Sequence, residues 1–99
     1  MVVDDEEFCL TMMRTLLFNC GIDVDHRVDF FMSGQEAIEQ IKQAQLIDAR
    51  YQLIFTDFNM PIMNGIEMIK KMRKYFTKEQ KLSKKDQPII IGVTGHVQD

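Results

Sequence analysis

Two apolar runs in this 99-residue chain each end in aspartate. Met1 to Val3 runs into Asp4 and Asp5, and Leu53 to Thr56 runs into Asp57. A strand covered on both faces reads as a continuous apolar run, and in an open parallel sheet ligands gather beyond the carboxyl ends of the strands. The pattern therefore predicts three carboxylates at one spot. Without a counter-charge they repel, and at least one is driven to keep its proton. A divalent cation removes that penalty. Oxygen-only donors suit Mg²⁺ or Mn²⁺, bound through carboxylates, a carbonyl and water and open to a phosphate oxygen. The residues thus point to a site that receives phosphate.

The length allows one domain, residues 1–99, with a modest core. At 45% hydrophobic and 27% charged residues the chain is too apolar for a disordered one. A net charge of -3 gives no reason to expect a nucleic-acid or membrane partner. No apolar stretch approaches a membrane span, and the N-terminus has no signal-peptide pattern, so a cytoplasmic protein is expected. Cys9 and Cys20 fall on one expected helix, roughly 16 Å apart at its rise per residue, too far for a disulfide. Both are expected to be small core residues. Their spacing to His26 and His96 does not suit zinc.

Between the acidic ends, the chain alternates strands and helices. Glu6 to Cys20 carries Phe8, Met12, Met13, Leu16, Leu17 and Cys20 near helical spacing, and Gly21 stops the helix. Val24 to Phe31 is rich in β-formers and predicts the second strand. Ser33 with Glu36 three positions on forms a capping box for a second helix, which leaves through Gln45 to Arg50. Leu53 to Thr56 is the third strand, followed by a loop over Asp57 to Asn64. Ile66, Ile69, Met72, Arg73 and Phe76 then mark the third helix, and Tyr75 to Gln87 reads as a long, lysine-rich connection. Pro88 to Val93 is a fourth strand, apolar enough that both faces should be covered. The alternation predicts an α/β parallel sheet wound on both faces.

Three segments resemble the receiver domain of two-component response regulators and hybrid histidine kinases: VVDDEE at Val2 to Glu7, LIFTDFNMPIMNG at Leu53 to Gly65, and IIIGVTGH at Ile89 to His96. The resemblance implies a flavodoxin-like sheet in strand order 2-1-3-4. It implies that Asp57 accepts a phosphoryl group from a phosphohistidine on a histidine kinase or histidine phosphotransfer protein. Asp4 and Asp5 would hold Mg²⁺ with Asp57 and the backbone carbonyl of Asn59, Asp5 being the more direct ligand. Thr94 would be the switch hydroxyl, a phosphate donor that an aliphatic side chain could not replace.

The chain departs from the family pattern after Thr94, where it ends within five residues. The fourth helix, the fifth strand with its lysine, and the fifth helix of the family are missing from it, which reads as a trimmed receiver or a divergent short form. Self-association through an exposed edge at residues 89–93 is expected. The alternative reading is a receiver-like protein-docking module that is not phosphorylated, because it lacks the lysine. The family's chemistry is self-phosphorylation and dephosphorylation rather than conventional enzyme turnover. A haloacid-dehalogenase-type phosphatase is disfavoured, since the Asp57, Phe58, Asn59 run does not supply its DxDx[TV] motif, and no glycine-rich nucleotide loop occurs. His96 reads as a loop residue. Met12, Met13, Met68 and Met72 read as core or near-core packing. The basic run from Lys70 to Lys85 reads as a solvated helix face, with a docking surface for an acidic partner as the competing reading.

Overall fold

The computed structural model describes residues 1–93. Its chain order is β1 (Val2–Val3), α1 (Glu7–Asn19), α2 (Val24–Arg27), β2 (Phe30–Phe31), α3 (Gly34–Leu46), β3 (Leu53–Asp57), α4 (Gly65–Lys78), a 3₁₀ turn (Lys84–Asp86) and β4 (Ile89–Val93). All strand pairs are parallel and the order across the sheet is β2-β1-β3-β4. This is an open α/β sheet of flavodoxin-like receiver type, with the order expected from the resemblance. Val3 stands opposite Thr56, and Asp57 opposite Val93, so β1, β3 and β4 finish at one end of the sheet.

Alternation along β3 divides the molecule into two layers. Ile54 and Thr56 face α3 and α4, where Ala37, Ile41, Met68, Met72 and Phe76 close the main core around Val3. Met68 and Met72 are core residues as expected, packed at helical spacing. The opposite face of β3, with Leu53 and Phe55, looks toward Leu17 of α1. No residue of α1 is buried, and Phe8 is 72% exposed. The apolar stripe of α1, Met12 and Leu16 included, is therefore real but largely bare, and only Met13 and Leu17 are half-covered. Cys20, expected inside, is exposed, and Cys9 is half-buried.

Local signals set the helix boundaries. Gly21 adopts φ 87°, and the bonds Ile22 N–H to Leu17 O and Gly21 N–H to Phe18 O complete a Schellman stop for α1. Ser33 Oγ accepts from Glu36 N–H at 3.1 Å, and Asn64 Oδ1 accepts from Glu67 N–H at 2.9 Å, so both long core helices begin on a side-chain cap.

Three expectations need correction. Val24 to Phe31 is not one strand: Val24–Arg27 is a helical turn, and only Phe30–Phe31 pair with β1. Asp23 Oδ2 accepts from His26 Nδ1 at 3.0 Å, Asp25 pairs with Arg14 of α1, and Val24 is buried, so local polar pairing and one anchor override β-propensity. β4 is covered on one face only; Ile90 packs on the core while Ile89, Ile91 and Val93 are exposed. The lysine-rich connection begins later than expected, because α4 continues to Lys78. Arg73, counted in the α4 stripe, is half-buried and donates to Pro88 O at 2.9 Å and Gln87 Oε1 at 3.1 Å, tying α4 to the start of β4. Among the described residues, no helix is long and apolar enough to cross a membrane.

Candidate functional site

The carboxyl ends of β1 and β3 place Asp4, Asp5 and Asp57 together. One oxygen from each lies within 4.8 Å of the others, and all three side chains are half-buried. The convergence follows from register: with Val3 opposite Thr56, the next residue of each strand is an aspartate. Asp4 N–H donates to Phe31 O at 3.0 Å, which extends the β1–β2 ladder up to the first acid.

Backbone amides orient the outer acids. Asp4 Oδ1 accepts from Glu6 N–H at 2.9 Å, leading the chain into α1, and Asp57 Oδ1 accepts from Asn59 N–H at 3.3 Å. The Asp4 carboxyl is pushed above the ordinary aspartate range, chiefly by burial and further by the negative charges of Asp57 and Asp5; the Glu6 amide opposes the shift. The repulsion expected of the trio thus adds to a shift that desolvation leads.

Behind the acids the loop from Phe58 to Asn64 is held from below. Met60 and Met63 are buried in the core, and Gly65 N–H donates to Phe58 O at 3.0 Å. A Cβ on Gly65 would lie 2.2 Å from Asp57 O, so only glycine lets α4 start this close to the acid-bearing backbone. Thr56, 1% exposed, donates its hydroxyl to Asp57 O at 3.0 Å. At the loop's tip Ile62 has φ 68° beneath a Met63 N–H to Pro61 O bond of 2.7 Å, a γ-turn with a β-branched residue in the left-handed region.

Of the expected site residues, Asp4, Asp5 and Asp57 come together; Asn59 is exposed two residues beyond Asp57 and is tied to it by its amide. Thr94 and His96 lie outside the described residues. The sequence reading missed Cys9. Its thiol is raised by desolvation and by the nearby charges of Asp4 and Glu6, which keeps it protonated beside the trio. The signal was its place in the first turn of α1, directly after the acidic pair.

Oxygen donors alone, already repelling one another, fit a hard divalent cation, and the trio suits Mg²⁺ on that chemistry. Family-level sequence comparison matches the response regulator receiver domain over residues 1–99. The chain is 31% identical to hybrid signal transduction histidine kinase L of Dictyostelium discoideum over 97 residues, covering 98% of this chain and 5% of the kinase. It is 35% identical to two-component response regulator 24 of Arabidopsis thaliana over 74 residues, covering 75% of this chain and 48% of that protein. With the chemotaxis protein CheY of Thermotoga maritima it shares 30% identity over 74 residues, 75% of this chain and 55% of that one. The chain thus spans about half or less of each of these relatives. No solved structure gives a significant match. Family match, strand order and the acidic trio agree: the chain belongs to the response regulator receiver domain family.

Proposed function

We propose that this domain takes a phosphoryl group onto Asp57 from a phosphohistidine of a histidine kinase or histidine phosphotransfer protein in the cytoplasm. Membership in the family supports phosphoryl-accepting signalling in two-component systems. The observation that carries the residue-level reading is the convergence of Asp4, Asp5 and Asp57 within 4.8 Å. Asp4, Asp5, Asp57 and the Asn59 carbonyl would hold Mg²⁺. When bound, the ion would neutralise charge on the phosphoryl oxygens and offset the mutual repulsion of the acids.

In the transfer, a carboxylate oxygen of Asp57 forms the new bond to phosphorus as the phosphorus–nitrogen bond breaks, and the electron pair returns to the donor imidazole. Phosphoryl transfer asks mainly for positioning and charge stabilisation, so a fixed carboxylate suffices as nucleophile. The Asn59 amide holds one Asp57 oxygen, and Gly65 and Thr56 fix the backbone beneath it. The product adds nearly two negative charges at the carboxyl end of β3, and Thr94, next in sequence after β4, is the hydroxyl proposed to answer them. The same reading includes association of two copies through β4, an edge strand among the described residues, with Ile89, Ile91 and Val93 exposed.

The test is incubation with Mg²⁺ and acetyl phosphate, read by intact mass beside Asp57→Asn. An adduct that hydroxylamine removes, present in the wild type and absent from the variant, is expected. Equal modification of both, or of neither, refutes the assignment.

A further inference from the structure

We propose that the groove between α3 and α4 is a docking site for an acidic, amphipathic helical segment of a partner protein. The groove has a volume of about 620 Å³ and shares no residue with the acidic trio. Its floor is apolar, formed by Ile38, Leu46 and the ring of Tyr75; Leu46 is 79% exposed. Tyr75 is held in place by the hydroxyl it donates to Gln45 and by Lys42, whose ammonium lies 5.8 Å from the ring centroid.

Cations line both sides. Lys42 comes from α3, and Lys71, Lys74 and Lys78 come from α4, while among the described residues Glu79 is the one acid on the lining. The chain as a whole has more acids than bases, 15 against 12, so this local excess runs against its average. Among the described residues, none of the four lysines is in an ion pair; the pairs are Arg14–Asp25 and His26–Asp23. Left open to water, the lysines repel one another across an apolar floor. An acidic partner removes both penalties at once.

The spacing selects the shape of the partner. Lys71, Lys74 and Lys78 form one stripe of α4, spanning roughly 10 Å at the helical rise. A helix carrying acids at matching intervals beside an apolar stripe meets the lysines with the former and the floor with the latter. A nucleic acid fits less well: four lysines meet few phosphates, the Tyr75 ring is covered by Lys42, and the net charge of -3 opposes a polyanion.

The test is fluorescence anisotropy of the full chain with a labelled 18-residue peptide bearing leucines on one helical stripe flanked by glutamates. Saturable binding is expected, weakened at least tenfold by Lys71→Glu with Lys74→Glu, and at least fivefold by Leu46→Asp. Lys81→Glu with Lys85→Glu changes charge equally outside the groove and should alter affinity less than twofold. A peptide of the same composition with its leucines dispersed should bind at least tenfold more weakly. Circular dichroism and melting confirm that each variant is folded. Equal weakening by the two lysine pairs, or equal binding of the dispersed peptide, overturns the proposal in favour of bulk electrostatics. Absence of peptide binding overturns it as well, and binding to phosphatidylserine vesicles that is lost in the groove variants would then assign the face to lipid. Asp57→Asn should bind the peptide normally, which separates this outcome from any failure of phosphorylation.

Discussion

Replacing Asp4 by Asn should make the metal-free protein more stable. Asp4 shares its site with two like charges, each within 4.8 Å of it. At that distance one pair of unit charges repels by about 0.9 kcal/mol at the dielectric constant of water, and by about 3.5 kcal/mol at an effective value of 20. The carboxylates are half-exposed, so the water end of that range applies. Asp4→Asn removes two of the three pairs, and its Oδ1 still accepts from Glu6 N–H. The expected gain is about 1–2 kcal/mol after salt screening. For a chain of this length that raises Tm by roughly 5–10 °C.

Two titrations distinguish charge relief from an incidental change in packing. The Asp4 carboxyl lies above its ordinary value when folded. Below the ordinary aspartate value both states hold the proton and no penalty exists; as pH rises through the raised value, the folded state loses stability. The gap between variant and wild type should therefore close below about pH 4 and open above it. Magnesium should act the opposite way. At tenfold over its Kd an ion binding only the folded wild type adds about 1.4 kcal/mol, which offsets most of the difference, while the variant responds less. Thermal melts in EDTA and in Mg²⁺, each across pH, read all of this. A variant that melts no higher than wild type in EDTA at neutral pH, or that responds equally to Mg²⁺, would falsify the reasoning.

Other substitutions probe the scaffold around the acids. Gly65→Ala pushes a methyl against Asp57 O and should cost about 3 kcal/mol, seen as a lowered urea midpoint; an unchanged midpoint would show that α4 does not abut the β3 end. Ile62→Asn should stabilise by about 1 kcal/mol, because Ile62 is 92% exposed and loses little packing while Asn tolerates its φ of 68°. A lowered Tm for this variant would argue against the strained turn. Ile91→Lys should abolish concentration-dependent sedimentation by charging the bare face of β4, and identical sedimentation of both proteins rules out association through that strand.

The elements that sequence made legible are those whose cause is local. Gly21 and Ser33 with Glu36 act within a few residues, and each ends or begins a helix where expected. The acidic trio was legible for a related reason: strand-end position is local, and parallel register brings the ends together. Val24 to Phe31 failed because its outcome depends on residues elsewhere. Arg14 of α1 holds Asp25, and β1 offers partners only to Phe30 and Phe31.

Periodicity has a second limit, which α1 and α4 illustrate. Spacing tells which side of an element is apolar, but says nothing about what lies over it. The stripes of α1 and α4 read alike in sequence; of the α4 stripe Met72 and Phe76 are buried, with Met68 beside them, while Ile66 is exposed, and Phe8, Met12 and Leu16 of α1 meet solvent. The same limit hid the α3–α4 groove. The lysines of α4 were visible as a basic run, but their significance depends on Lys42 and Tyr75 standing across from or between them, thirty or so residues apart in the chain. The acids, by contrast, needed only two strand ends. A site set by register can be read from short motifs, while a surface shared by two helices becomes visible only once those helices are packed.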